Sequence, residues 1–263
     1  MIRQLGLAHF SAINVPPEEF VVLAAEAGFV RVGLRLVPPF AGAPHYPLQA
    51  GTDALRRLLR ICSDVGVEVY DIEAVVIDAQ FSPGTMKPVL EAAAELGASR
   101  LTVSGDDIDS ARLADNFLNL CALAAPFAMD IDIENMGWRS VATYSDAYDL
   151  VASTKAENAG VLVDAIHFFR NGGNLEELNA GLHRINSVQI CDVRGPAPTT
   201  SEGMVAEARA GRFAPGEGDL PLQELLNAVR PDSKISIEVP MIDNSRSASD
   251  HIRHLVAAAQ RLQ

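Results

Sequence analysis

Cysteine is scarce in this chain: three among 263 residues, at Cys62, Cys121 and Cys191, with no C-x-x-C pair. That scatter supports neither a disulfide framework nor a zinc knuckle, and it fits a reducing compartment. Basic residues are short as well, 21 against 34 acidic ones, for a formal net charge of −13. Neutralising phosphates takes clustered Lys and Arg, so the balance argues against nucleic acid and anionic membrane surfaces as partners. No run reaches the ~18 apolar residues of a membrane span. The first residues (MIRQLGLAHF) turn polar too soon for a signal peptide. A soluble, cytoplasmic protein is expected.

Apolar residues make up 48% of the chain, enough for a sizeable core at this length. Short apolar or β-branched runs alternate with stretches of helical period from end to end. The strand-like runs are 2–8, 29–34, 67–74, 100–104, 128–134, 159–164, 187–191 and 234–239. Helix-like segments follow each of them, at 17–27, 52–65, 83–96, 109–125, 145–153, 174–182, 221–229 and 247–262. Pro17 and Pro83 open two helices, while Gly28, Gly66 and Gly97 close three with a left-handed cap. Eight strands alternating with eight helices in this length predict an α/β fold, a (β/α)8 TIM barrel in a single domain spanning 1–263. A doubly wound sheet is disfavoured, because no Gly-rich phosphate fingerprint follows the first strand. Residues 192–220 show no clear element and leave strand seven at the face where barrel active sites sit, which marks them as a lid or binding loop.

The last four strands each end in one oxygen-bearing side chain: Glu134 (IDIEN), Asp164 (VLVDA), Gln189 (SVQICD) and Glu238 (ISIEV). One such residue alone is ordinarily a helix cap or an ion-pair partner. Four in succession should converge at the C-terminal mouth of the barrel. Three carboxylates placed so closely repel one another, and a divalent cation resolves the conflict. An all-oxygen donor set favours Mn2+, with Mg2+ or Co2+ as alternatives, over Zn2+. On the early strands His9, Arg35 and Glu73 stand at or just beyond strand ends and could line the pocket, as could the lone Trp138 and Phe168.

DIENMG, LVDAIHFFRNGG, VQICD, GRFAPGEGDLPL and SIEVP resemble the xylose isomerase-like barrel superfamily. It includes sugar epimerases of the tagatose type, hydroxypyruvate isomerases and inosose dehydratases. The resemblance implies Glu134, Asp164, Gln189 and Glu238 as metal ligands, with Gln189 where histidine is commoner. A glutamine there is similar to the bacterial 3-dehydroshikimate dehydratase branch, and Ser140 stands where tagatose-type epimerases carry a second glutamate. The implied chemistry is proton abstraction next to a carbonyl through a metal-stabilised enediolate, Glu134 and Glu238 exchanging the proton on a small polyhydroxy carbonyl substrate. His167 in D-x-x-H would bond a substrate oxygen, Arg194 would contact substrate, and Arg212 would fold down with the loop.

Two outcomes share that first step: isomerisation or epimerisation, and elimination of a β-hydroxyl by a lyase of the dehydratase type. A third reading is a metal-binding partner subunit without turnover of its own. Such barrels often pair as homo-oligomers, although no interface is fixed by the sequence. A phosphorylated substrate is disfavoured, since the residues after Glu238 (VPMIDNSRS) lack the glycines of a barrel phosphate site.

Overall fold

The computed structural model describes residues 4–243 and 245–262. Eight parallel strands close in sequence order: β1 (Leu5–Leu7), β2 (Arg31–Arg35), β3 (Glu68–Ile77), β4 (Arg100–Gly105), β5 (Asp130–Glu134), β6 (Ala159–Asp164), β7 (Ile185–Ile190) and β8 (Lys234–Ile237). β8 pairs back onto β1 through Gly6 and Ser236. The accessible surface of 11245 Å² is that of a well-folded monomer of this mass. The first two residues of the strand expected at 2–8 lie outside the described residues.

Ten helices connect the described strands: α1 (Pro17–Ala27), α2 (Asp53–Val65), α3 (Lys87–Glu95), α4 (Ser110–Ala124), α5 (Tyr144–Thr154), α6 (Ala165–Arg170), α7 (Leu175–Gly181), α8 (Ser201–Ala210), α9 (Leu222–Ala228) and α10 (Ala248–Gln260). Thr52 and Asp109 prove to be N-caps, their side chains accepting from Leu55 N and Arg112 N. Thr143 and Asp146 form a reciprocal capping box at the start of α5. Two helices were not expected. α6 begins immediately after β6, and α8 stands inside the segment expected to lack an element.

Inward and outward faces of the strands differ in chemistry. Leu101, Val103, Ile131, Ile133, Val161, Val163, Val188, Ile235 and Ile237 are all fully or almost fully buried in the apolar core. The alternate positions carry Thr102, Asp132, Glu134, Asp164, Ser187, Gln189, Ser236 and Glu238, also buried. Strand periodicity puts the two sets on opposite faces, so the lumen is polar and the core lies between strands and helices. Glycine makes room for this: a Cβ at Gly33 would sit 2.8 Å from Glu73 Oε1, and one at Gly160 would strike Asn186 and Asp132.

Candidate metal centre and active site

β5 and β6 end in Glu134 and Asp164, and β7 carries Gln189 beside Asp164 in register. All three side chains are buried. Asp164 doubles as the N-cap of α6, its Oδ1 accepting from Ile166 N at 2.9 Å. This turn sets His167 on the first turn of α6, facing the carboxylates. Ligand atoms of Glu134, Asp164 and His167 lie within 4.8 Å of one another. His167 Nε2 stands 3.9 Å from Glu134 Oε1. The His167 carbonyl accepts from Asn135 Nδ2 at 3.1 Å and Asn171 Nδ2 at 2.7 Å, and Trp138 packs edge-on against its ring at 5.1 Å.

Glu238, just past β8, stands outside that group of three and is held by Arg212. The Arg212 guanidinium bridges two strands, with Nη1 2.6 Å from Asp164 Oδ2 and Nη2 3.0 Å from Glu238 Oε2. Its Nε donates to Ala208 O at 2.8 Å, tying the bridge to the last turn of α8. On the opposite wall, Arg35 Nη2 pairs with Glu73 Oε2 at 3.1 Å and lies over the Phe10 ring. Glu73 also accepts from the His9 and Phe10 backbone amides.

Electrostatics follow from this packing. Burial, with Asp164 and Glu238 nearby, pushes the Glu134 carboxyl well above its ordinary range, against the pull of Arg212. Burial raises Glu238 to about 7, with Arg212 opposing. Burial depresses His167 to about 4, so its imidazole is neutral at physiological pH. If every acid is ionised, Glu73, Glu134, Asp164 and Glu238 face only two guanidiniums, Arg35 and Arg212, and two negative charges remain. Glu134 Oε1 and Gln189 Oε1 are buried acceptors without a hydrogen-bond partner among the described residues. Unfinished acceptors, and carboxyl groups that would leave two negative charges over when ionised, fit one divalent cation.

The other expected pocket residues are placed differently from one another. His9 is fully buried, Nε2 against Val15 O and Nδ1 accepting from Arg35 N, so both ring nitrogens serve the fold. Arg194 is an exposed rim residue, its Nε on Glu217 O and its guanidinium over Phe213. Phe168 packs against Tyr144 and Phe169 in the core. Sequence reading did not single out Asn135, whose amide fixes α6, and no motif of its own marks it.

Comparison with known proteins places this geometry. Two curated relatives are both described as inosose isomerase. The match is 36% identical over 61 residues for Bacillus licheniformis and 27% over 119 for Bacillus velezensis. Those stretches cover 22% and 44% of this chain, and only 22% and 41% of the relatives. Among solved structures, the IolI protein with a bound zinc atom superposes with a TM-score of 0.81 at 18% identity, covering 99% of this chain and 98% of that one. The probable 3-DHS dehydratase AsbF of Bacillus anthracis gives 0.79 at 15% identity, covering 98% of each. A profile of the xylose isomerase-like TIM barrel matches residues 6–258, and the chain belongs to that family.

Proposed function

We propose that the protein is a divalent-metal-dependent isomerase or epimerase of a small, uncharged polyhydroxy ketone. The observation that carries this reading is the pair of orphaned buried acceptors, Glu134 Oε1 and Gln189 Oε1, in a cluster whose carboxyl groups outnumber its guanidiniums. Glu134, Asp164, Gln189 and Glu238 would hold the ion, with His167 near enough to Glu134 and Asp164 to share in it. When bound, the ion polarises the substrate carbonyl and adjacent hydroxyl and so acidifies the C–H bond between them.

The chain's own groups do the rest. Glu134 Oε1 has no competing hydrogen-bond donor and is free to take the proton. Glu238, which titrates near neutrality, can carry a proton and return it. Neutral His167 can hydrogen-bond a substrate oxygen without adding charge. Arg212 keeps Asp164 and Glu238 at a fixed separation, and the burial of the cluster excludes bulk water. The names of the curated relatives support an inosose-like ketone as substrate, and the zinc in IolI supports a resident metal.

The likeness to AsbF, together with Gln189, favours the lyase reading as an alternative. Charge speaks against it. Dehydroshikimate brings a carboxylate, and both guanidiniums of the cluster, Arg35 and Arg212, already hold carboxylates. The test is solvent-deuterium incorporation into a panel of inososes and keto-sugars, with Mn2+ and after chelation. Exchange is expected with Mn2+ and lost in Glu134→Gln and Glu238→Gln. Undiminished exchange by the chelated protein overturns the metal reading. An ultraviolet-absorbing product from dehydroshikimate establishes the lyase.

A further inference from the structure

β2 alternates along its length. Val32 and Leu34 belong to the apolar core, while Gly33 stands against the carboxyl groups of Glu73 and Asp71 in the lumen. Strand period therefore turns Arg35, the last residue of β2, into the lumen at the mouth. It pairs in register with Glu73 of β3. β2 and β6 are four strands apart in the closed order, so Arg35 stands across the mouth from Asp164. Its charge also reaches Glu238: burial raises that carboxyl, and Arg212 and then Arg35 oppose the rise.

The Arg35 guanidinium is only partly engaged. Nη2 donates to Glu73 Oε2 at 3.1 Å, and the Phe10 ring covers one face at 4.6 Å. Nε is buried and has no hydrogen-bond partner among the described residues. The surroundings are fixed. The Arg35 amide donates to His9 Nδ1, and Glu73 Oε1 and Oε2 accept the amides of His9 and Phe10. The tops of β1, β2 and β3 are thus tied into one wall, in which the carboxylate is answered and a donor is left over. On the facing wall the groups left over are acceptors, Glu134 Oε1 and Gln189 Oε1. A buried donor on a charged group is costly to leave unpaired. With its charge already met by Glu73, this edge suits a neutral oxygen, since a second carboxylate there would be repelled by the first.

We propose that Arg35 Nε reads a hydroxyl on the far side of the substrate from its carbonyl, and so selects six-carbon polyol ketones over short hydroxyketones. This rests on the isomerase reading of the site and deepens it to the class of substrate. A ketone held through its carbonyl and adjacent hydroxyl on the side of Glu134, Asp164, Gln189 and Glu238 turns its remaining hydroxyls toward β2. A three-carbon hydroxyketone has the same reacting unit and no far side.

The test measures solvent-deuterium exchange with Mn2+ present, as kcat/KM for an inosose and for dihydroxyacetone, in wild type and Arg35→Met. A hydrogen bond from a charged donor sets the fall for the inosose at about ten- to a hundredfold, with dihydroxyacetone unaffected. Equal falls for the two ketones, which a merely structural or electrostatic role would give, overturn the proposal, and so does no fall. Where Arg35→Met does not fold, the double variant Arg35→Met, Glu73→Gln replaces it, because it leaves neither partner of the pair charged and alone. Wild type supplies the matching arm: inososes lacking one hydroxyl far from the carbonyl should lose the same factor at one position, and loss at none overturns the proposal. If wild type exchanges neither ketone, the isomerase reading fails and Arg35 is judged by calorimetric binding. A preference for the inosose that Arg35→Met abolishes supports the assignment, and a preference that is absent or survives in the variant overturns it.

Discussion

Glu134→Gln should make the protein more stable without metal and less stable with it. Glu134 is 4% exposed, its Oε1 meets no donor, and burial, with Asp164 and Glu238 beside it, raises its carboxyl well above 4.5. Leaving such a group buried and unsatisfied costs about 1–3 kcal/mol. An amide of the same shape carries no charge and brings two N–H donors toward its acidic neighbours. For a chain of this size each kcal/mol moves Tm by about 2–4 °C, so a rise of about 2–12 °C is expected in chelator at pH 8.

The pH dependence has a definite sign. A carboxyl whose folded pKa is raised holds its proton longer in the native state, so wild type loses stability as pH climbs above 4.5 toward the folded value. The variant lacks that loss, and the gap should narrow toward pH 5. Saturating Mn2+ at a hundredfold excess over its dissociation constant adds about 2.7 kcal/mol to a protein that binds it, which reverses the order. Differential scanning fluorimetry across pH 5–8, with chelator and with Mn2+, reads all of this. A variant less stable than wild type at pH 8 in chelator, or a gap indifferent to pH, refutes the reasoning.

Removal of the bridging cation should have the opposite effect. Arg212→Gln strands Asp164 Oδ2 and Glu238 Oε2 in a buried site, at a cost of about 3–5 kcal/mol in urea unfolding, and Mn2+ should recover part of it. Gln189→His replaces an orphaned carbonyl oxygen by an imidazole nitrogen, and competition binding should then shift from Mn2+ toward Zn2+. Unaltered selectivity would place residue 189 outside the donor set.

Residues 17–27 and 159–164 were legible to the residue, because proline and glycine frame one and an apolar Val-Leu-Val run closed by Asp164 marks the other. α6 was not, since its first residue follows directly on Asp164, which serves strand end and helix cap at once. α8 was hidden among prolines 196 and 198 and Gly211, although Thr200 caps it in the ordinary way by accepting from Gly203 N. Four polar side chains at four strand ends were readable from spacing alone. The bridge from Arg212 was not, for it joins residues 48 and 26 positions away through a loop whose path no local pattern dictates. His9 looked like a pocket residue because strand ends in a barrel face the mouth. The short 3-10 turn over His9–Ala12 instead buries its ring beside Phe20 and Tyr46.

Strand-end reading also passed over two deeper carboxylates, and the contrast between the tiers bears on function. Asp132 Oδ2 accepts from Ser187 Oγ and Arg100 Nη1, and its Oδ1 from Asn186 Nδ2, at 2.8–3.1 Å. Asp71, with its carboxyl raised by burial and by Glu73, takes both its contacts from Thr102. In that lower tier these carboxylates are answered by donors of the chain itself. One step up, Glu134 and Gln189 keep oxygens that nothing answers, although Arg212 lies close to the same cluster and is fully engaged elsewhere. Buried acceptors are costly to leave unpaired, and a fold that satisfies them at one level has the means to satisfy them at the next. Polar residues thus fill the lumen throughout, and at the C-terminal ends of β5 and β7 the unanswered oxygens of Glu134 and Gln189 flank Asp164, which is where an external ligand can repay them.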